Sequence, residues 1–109
     1  MRQDFSARNN SDEDCNPTGG WVSGTGINIQ WQDGPLGRGD ERKRPNGAFV
    51  EDVIAAAKQR LEYFQKAAGG RFACEENEDA IQCLVDALVA LDGRTARRER
   101  EGVEGTHQP

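Results

Sequence analysis

The amino-acid sequence predicts an α+β chain in which a short strand precedes an antiparallel hairpin of two long helices. Two periodicities and a glycine pair carry that reading. Ile27-Asn28-Ile29-Gln30-Trp31-Gln32 alternates apolar and polar residues without a break, the period of a half-buried strand. From Phe49 onward apolar residues recur instead at steps of three and four, the period of amphipathic helices. Gly69-Gly70 divides that second region in two, as glycines do where helices end.

Residues 1–24 are dominated by Arg, Asp, Asn, Ser and Gly, with Phe5 and Trp21 as isolated apolar residues. They read as a flexible tail, because so little apolar surface does not offset the entropy of ordering a segment. One domain, residues 25–109, is expected to follow. Its strand and loop occupy 26–47, with Ile27, Ile29 and Trp31 facing inward. Asp33-Gly34-Pro35-Leu36-Gly37 ends the strand in a turn. Residues 38–44 carry four basic and two acidic side chains and read as an exposed loop, closed by Pro45-Asn46-Gly47. Whether a second short strand lies within 36–44 stays open.

The first helix is expected over 49–68. Val50, Val53, Ile54, Ala57, Leu61 and Phe64 form its stripe, and Glu51 and Asp52 occupy the first turn, where the helix dipole favours acids. The second is expected over 77–100, with Ile81, Leu84, Val85, Leu88 and Leu91 as its stripe and Asn77 as its N-cap. Gly93 costs about 1 kcal/mol relative to alanine and leaves room for a bend. The C-terminal segment is 101–109. Each hairpin covers only one side of each stripe, and the apolar share is 35%, below the roughly 45–50% of globular domains. A homodimer or larger symmetric assembly is therefore expected.

No run of apolar residues is long enough to span a membrane and no signal-peptide core is present, so the chain reads as cytosolic. Cys15, Cys74 and Cys83 read as reduced thiols, with Cys83 as a small core residue. A zinc site from Cys74, Cys83 and His107 lacks standard spacing and a fourth ligand. No metal or cofactor is expected. The catalytic inventory is thin: the single histidine stands near the C-terminus, and no P-loop or zinc-protease motif occurs. An enzyme is not expected.

The sharpest feature is basic. Arg94, Arg97, Arg98 and Arg100 fall within seven residues, and the first three share one side of the helix. They fit favourable placement of cations at a helix C-terminus and, equally, a grip on phosphates. Phe64 and Phe72 fit a core or a stacking platform for a nucleobase. Asn77 fits a cap or a group that reads a base or ribose edge.

Several segments together resemble a family of phage proteins. Gly26-Ile27-Asn28-Ile29-Gln30-Trp31-Gln32-Asp33-Gly34-Pro35 is similar to its opening G-I-N-I-x-F-Q-x-G-P, and Asn46-Gly47 followed by Val50-Glu51-Asp52-Val53 to its entry into the first helix. Arg60-Leu61-Glu62-Tyr63-Phe64-Gln65 and Phe72-Ala73-Cys74-Glu75-Glu76-Asn77 resemble its R-L-x-x-F-Q and F-A-C-R-E-N hinge. Arg94-Thr95-Ala96-Arg97-Arg98-Glu99 and Gly102-Val103-Glu104-Gly105-Thr106-His107 resemble its C-terminal signature. The family is the first type of Thoeris anti-defence protein, related to the anti-CBASS cyclic-nucleotide sponge, and the resemblance spans 26–108.

That resemblance implies a small antiparallel β-sheet beside the helical hairpin, homodimers assembling into a hexamer, and a site in the cytoplasm of an infected bacterium. It implies a sponge that binds glycocyclic ADP-ribose without degrading it, blocks TIR-dependent immunity, and in some members takes cyclic di- or trinucleotides. Phe64 would stack on the ligand, Asn77 would hydrogen-bond it, and Arg94 and Arg98 would contact phosphates, with Arg97 and Thr106 beside them. Three departures stand out. The hinge 66–71 is longer than the family's, loop 38–44 is longer and more charged, and Glu75 stands where the family often has arginine. An arginine-rich accessory protein binding nucleic acid is the alternative, opposed by the net charge of −5.

Overall fold

A computed structural model describes all 109 residues, Met1–Pro109. The chain divides into two units, one formed by Met1–Phe49 with Arg98–Pro109 and the other by Val50–Arg97. The first holds a three-stranded antiparallel sheet in sequence order: β1 (Ser6–Ser11), β2 (Pro17–Gly24) and β3 (Ile27–Trp31). The second holds α1 (Val50–Gly70) and most of α2 (Glu75–Arg100). The class is α+β, as the sequence predicts.

Two of the three strands lie within the residues that read as a tail. β1 has no apolar alternation to betray it, and all six of its residues are exposed. Backbone pairing rather than burial holds it, with Ala7 opposite Val22 and Arg8 opposite Trp21. The Asp12 carboxylate closes the β1–β2 hairpin by accepting the Asp14 and Asn16 N–H groups at 2.9 and 3.0 Å. These bonds, the one from Asn16 foremost, hold the Asp12 carboxyl below its usual range. At the β2–β3 turn the Gln3 amide accepts from the Thr25 N–H at 2.9 Å and donates to its carbonyl at 2.8 Å.

β3 keeps its predicted alternation: Ile27, Ile29 and Trp31 are half-buried, and Asn28 and Gln30 are exposed. No strand forms within 36–44, where the only regular structure is a single 3-10 turn at Gly39–Glu41. Ala48 pairs with β3 instead, donating to the Gln30 carbonyl at 2.7 Å and accepting from the Gln32 N–H at 2.9 Å. Gly47 is required by that approach, since a Cβ there would lie 2.6 Å from the Trp31 carbonyl. The basic loop is not a free strap. Arg42 forms a two-pronged ion pair with Glu104 at 2.8 and 3.0 Å, Arg38 donates to the Gly102 carbonyl, and Gly37 N–H donates to Gly105 O at 2.9 Å.

α1 begins at Val50, one residue after the predicted start, and its helical path ends before Ala67, whose ψ is 145°. Ala68 and Gly69 then take left-handed angles. α2 begins at Glu75, which puts Asn77 inside the first turn and corrects its reading as the N-cap. α2 runs unbroken through Gly93. The two helices are joined at the hinge but make no close backbone approach along their lengths. Their stripes are left half-buried as a result: Val53, Ile54, Leu61, Ile81, Leu84, Val85, Leu88 and Leu91 are all partly accessible, Val50 is 51% exposed, and no residue of the chain is buried. Cys83, expected in a core, is exposed. No helix is long and apolar enough to cross a membrane.

Candidate ligand-binding site

The hinge between the helices is built around one side chain. Gln65 stands on the last turn of α1 and bridges to the start of α2. Its Oε1 accepts from the Cys74 N–H at 3.1 Å and the Asn77 side-chain amide at 3.2 Å. Its Nε2 donates to the Cys74 carbonyl at 3.1 Å and to Glu78 Oε2 at 3.2 Å. A single primary amide thereby satisfies the backbone group at the mouth of α2 and orients Asn77. The tight turn that permits this is the glycine-rich stretch after Ala67, closed by the Arg71 N–H on Ala68 O and the Ala73 N–H on Gly70 O.

Beside Gln65 an open hollow of about 380 Å³ is lined by Arg60, Tyr63, Phe64, Ala67, Phe72 and Asn77. Its walls are mostly apolar, with the Asn77 amide and the Arg60 guanidinium as its polar groups. Arg60, Tyr63 and Phe64 share one face of α1, because steps of three and four bring side chains together on a helix. The Arg60 guanidinium carbon lies 4.9 Å from the ring centres of both Tyr63 and Phe64. The two rings are tilted by 55° with centres 6.0 Å apart. Across the hinge, Arg71 covers Phe72 at 4.7 Å. Phe72, 53% exposed, presents apolar ring to water, as does Phe64 to a smaller extent. Flat aromatic walls with an amide at the edge suit a planar heterocycle.

The remaining site residues lie elsewhere. Arg98 and Thr106 come together, but around the chain's own C-terminal segment. Arg98 Nη2 donates to the carbonyls of Val103, Thr106 and Gln108 at 3.2, 3.0 and 2.8 Å. Thr106 Oγ1 donates to Val103 O at 2.5 Å and accepts the Gln108 N–H at 3.1 Å. Only Arg98 Nε is enclosed without a partner. Arg94 and Arg97 are exposed on α2. At 1.5 Å per residue, α2 sets Arg94 about 25 Å from Asn77, so one chain does not bring the hollow and Arg94 to one small ligand.

Glu104 belongs to the same C-terminal segment. Its hydrogen bonds from Arg42 hold its carboxyl below the usual value, against a smaller opposing effect of burial. Arg60, Tyr63 and Gln65 stand in the sequence only as letters of a motif segment, with no role assigned to them. The signal for the first two was present: an arginine three and four residues before two aromatics on a helix. Gln65 has no periodicity to mark it, and its only signal is its place as the last letter of the R-L-x-x-F-Q motif.

No family model matches the chain. It is 51% identical over 63 residues to a protein named Thoeris anti-defense 1 from Bacillus phage SBSphiJ7. The match covers 58% of this chain and 42% of that protein, so the chain aligns with less than half of its relative's length.

Proposed function

We propose that this chain, a relative of the first-type Thoeris anti-defence proteins, captures glycocyclic ADP-ribose in an infected bacterium's cytoplasm and holds it intact. The observation that carries the reading is the hinge hollow, where Phe64 and Asn77 line one surface beside Phe72. A base stacked there gains about 1–3 kcal/mol, and the Asn77 amide reads its edge. Arg94, exposed and far along α2, supplies a phosphate contact from a second copy of the chain, with Arg97 beside it. The helix stripes left only half-buried in a single chain are the surfaces that copy would cover, in a homodimer or a hexamer of dimers. Arg98 and Thr106 shape the segment that follows.

Capture in this reading breaks no bond. Free signal falls because sites match signal molecules in number and hold them more tightly than the receptor does. A cyclic di- or trinucleotide offers the same bases and phosphates and is the next ligand of the same class.

The test mixes purified protein with glycocyclic ADP-ribose, removes free ligand, denatures the complex by heat, and separates what is released by chromatography. Intact ligand at about one per site is the expected result. Phe64→Ala should then weaken retention by about 10- to 100-fold, the loss of one stacked base. Recovery of cleaved product would overturn the sponge reading. No retention would remove this ligand and pass the same assay to cyclic oligonucleotides.

A further inference from the structure

We propose that Arg60 and Arg71 bind the anionic part of the ligand at the hinge hollow, so that one protomer supplies both the stacking walls and a phosphate grip. The proposal rests on the nucleotide-capture reading and goes beyond it, since it adds charge recognition by residues of the hinge itself to the contact from Arg94 of a second copy.

Both guanidiniums are held by stacking alone. Arg60 lies over Tyr63 and Phe64 at 4.9 Å, and Arg71 over Phe72 at 4.7 Å. Neither enters the ion pairs of Arg42 with Glu104 or of Lys58 with Glu62. Glu78, an acid in the first turn of α2, is engaged by Gln65. A guanidinium lying on an aromatic face is fixed in position while its in-plane N–H groups stay available, and that fork matches two phosphate oxygens. Arg98 is placed differently, because one arm of its guanidinium already donates to three backbone carbonyls.

Arg60 is part of the hollow's wall, beside Tyr63 and Phe64. Arg71 is tied to the hollow through the ring of Phe72, itself a lining residue, over which it lies at 4.7 Å. A ligand with a planar base and a diphosphate finds both of its chemistries within this one helix–turn–helix. Arg71 stands in the stretch where this hinge is longer than in the resembling family, so its contribution belongs to this chain's version of the site. Stacking also limits the geometry: Arg60 covers one face of Phe64, which leaves the opposite face or the ring of Phe72 for the base.

The experiment titrates the full chain with glycocyclic ADP-ribose by calorimetry and with adenosine, which has the base but no phosphate, by NMR. Arg60→Gln and Arg71→Gln should each weaken the charged ligand about tenfold, the loss of one charge-assisted contact. Adenosine binding should stay as in the unaltered protein, and Arg60→Lys should recover part of the loss. Variants that bind the charged ligand like the unaltered protein would overturn the proposal while leaving capture intact. Equal losses for both ligands would also overturn it, by showing that the arginines only shape the hollow. An unaltered protein that binds neither ligand would overturn capture of glycocyclic ADP-ribose and this proposal together.

Discussion

Gln65 and Arg98 are each a single side chain that holds a turn of backbone in place. Gln65 satisfies both the N–H and the carbonyl of Cys74 and steers Asn77. Gln65→Ala leaves those exposed groups to water, and a loss of about 0.5–1.5 kcal/mol is expected. Its effect on ligand retention should exceed that of a distant change of equal destabilisation, because Asn77 loses its orientation. Paired thermal melts and retention assays check this. Arg98→Ala should instead release residues 103–108, visible as collapse of their backbone NMR shifts toward random-coil values. Asn77 shows where residue-level reading stops. Its identity suits a cap, a ligand contact and a link to Gln65 equally, and only the start of α2 at Glu75 separates the first from the others.

At the scale of elements, the strand and helices that carry apolar periodicity were legible and those held by hydrogen bonds alone were not. β3 shows its period of two in Ile27, Ile29 and Trp31, and both helices show their stripes. β1, with the sequence Ser-Ala-Arg-Asn-Asn-Ser, buries nothing and is defined by its partner, which no local pattern reveals. The same limit hid the pairing of Ala48 with β3. The hinge offers a test at this scale. Ala68 holds φ 51° and ψ 42°, angles that cost a residue with a Cβ about 1–2 kcal/mol. Ala68→Gly removes that cost and adds back about 0.5–1 kcal/mol of chain entropy. A net gain of about 0.5–1 kcal/mol is expected in denaturant titrations, with the hollow unchanged.

For the whole molecule, acid is the first stress to weigh. Glu104 has its carboxyl held below 4.5 by the Arg42 hydrogen bonds, and the pair ties loop 36–42 to the segment after α2. A carboxyl with a depressed value stabilises the fold fully above its ordinary value and loses that contribution as pH falls through the folded one. The Glu104 side-chain NMR titration should therefore have its midpoint below 4.5, and in Arg42→Gln it should return toward that value. The Gly37 N–H resonance, bonded to Gly105, should move with the same midpoint.

That no residue of the single chain is buried has a calorimetric consequence. The heat capacity of unfolding measures apolar surface newly wetted, about 1.2–1.5 kcal/mol/K for 100 residues of an ordinary domain. A chain that unfolds alone, with its stripes only half-buried, should give a smaller value and a broader, shallower melt. A protein that covers those stripes with further copies of itself should approach the ordinary value, with a midpoint that climbs as the solution is concentrated. The curvature of its stability with temperature thus reports how much of its interior each molecule borrows from its neighbours.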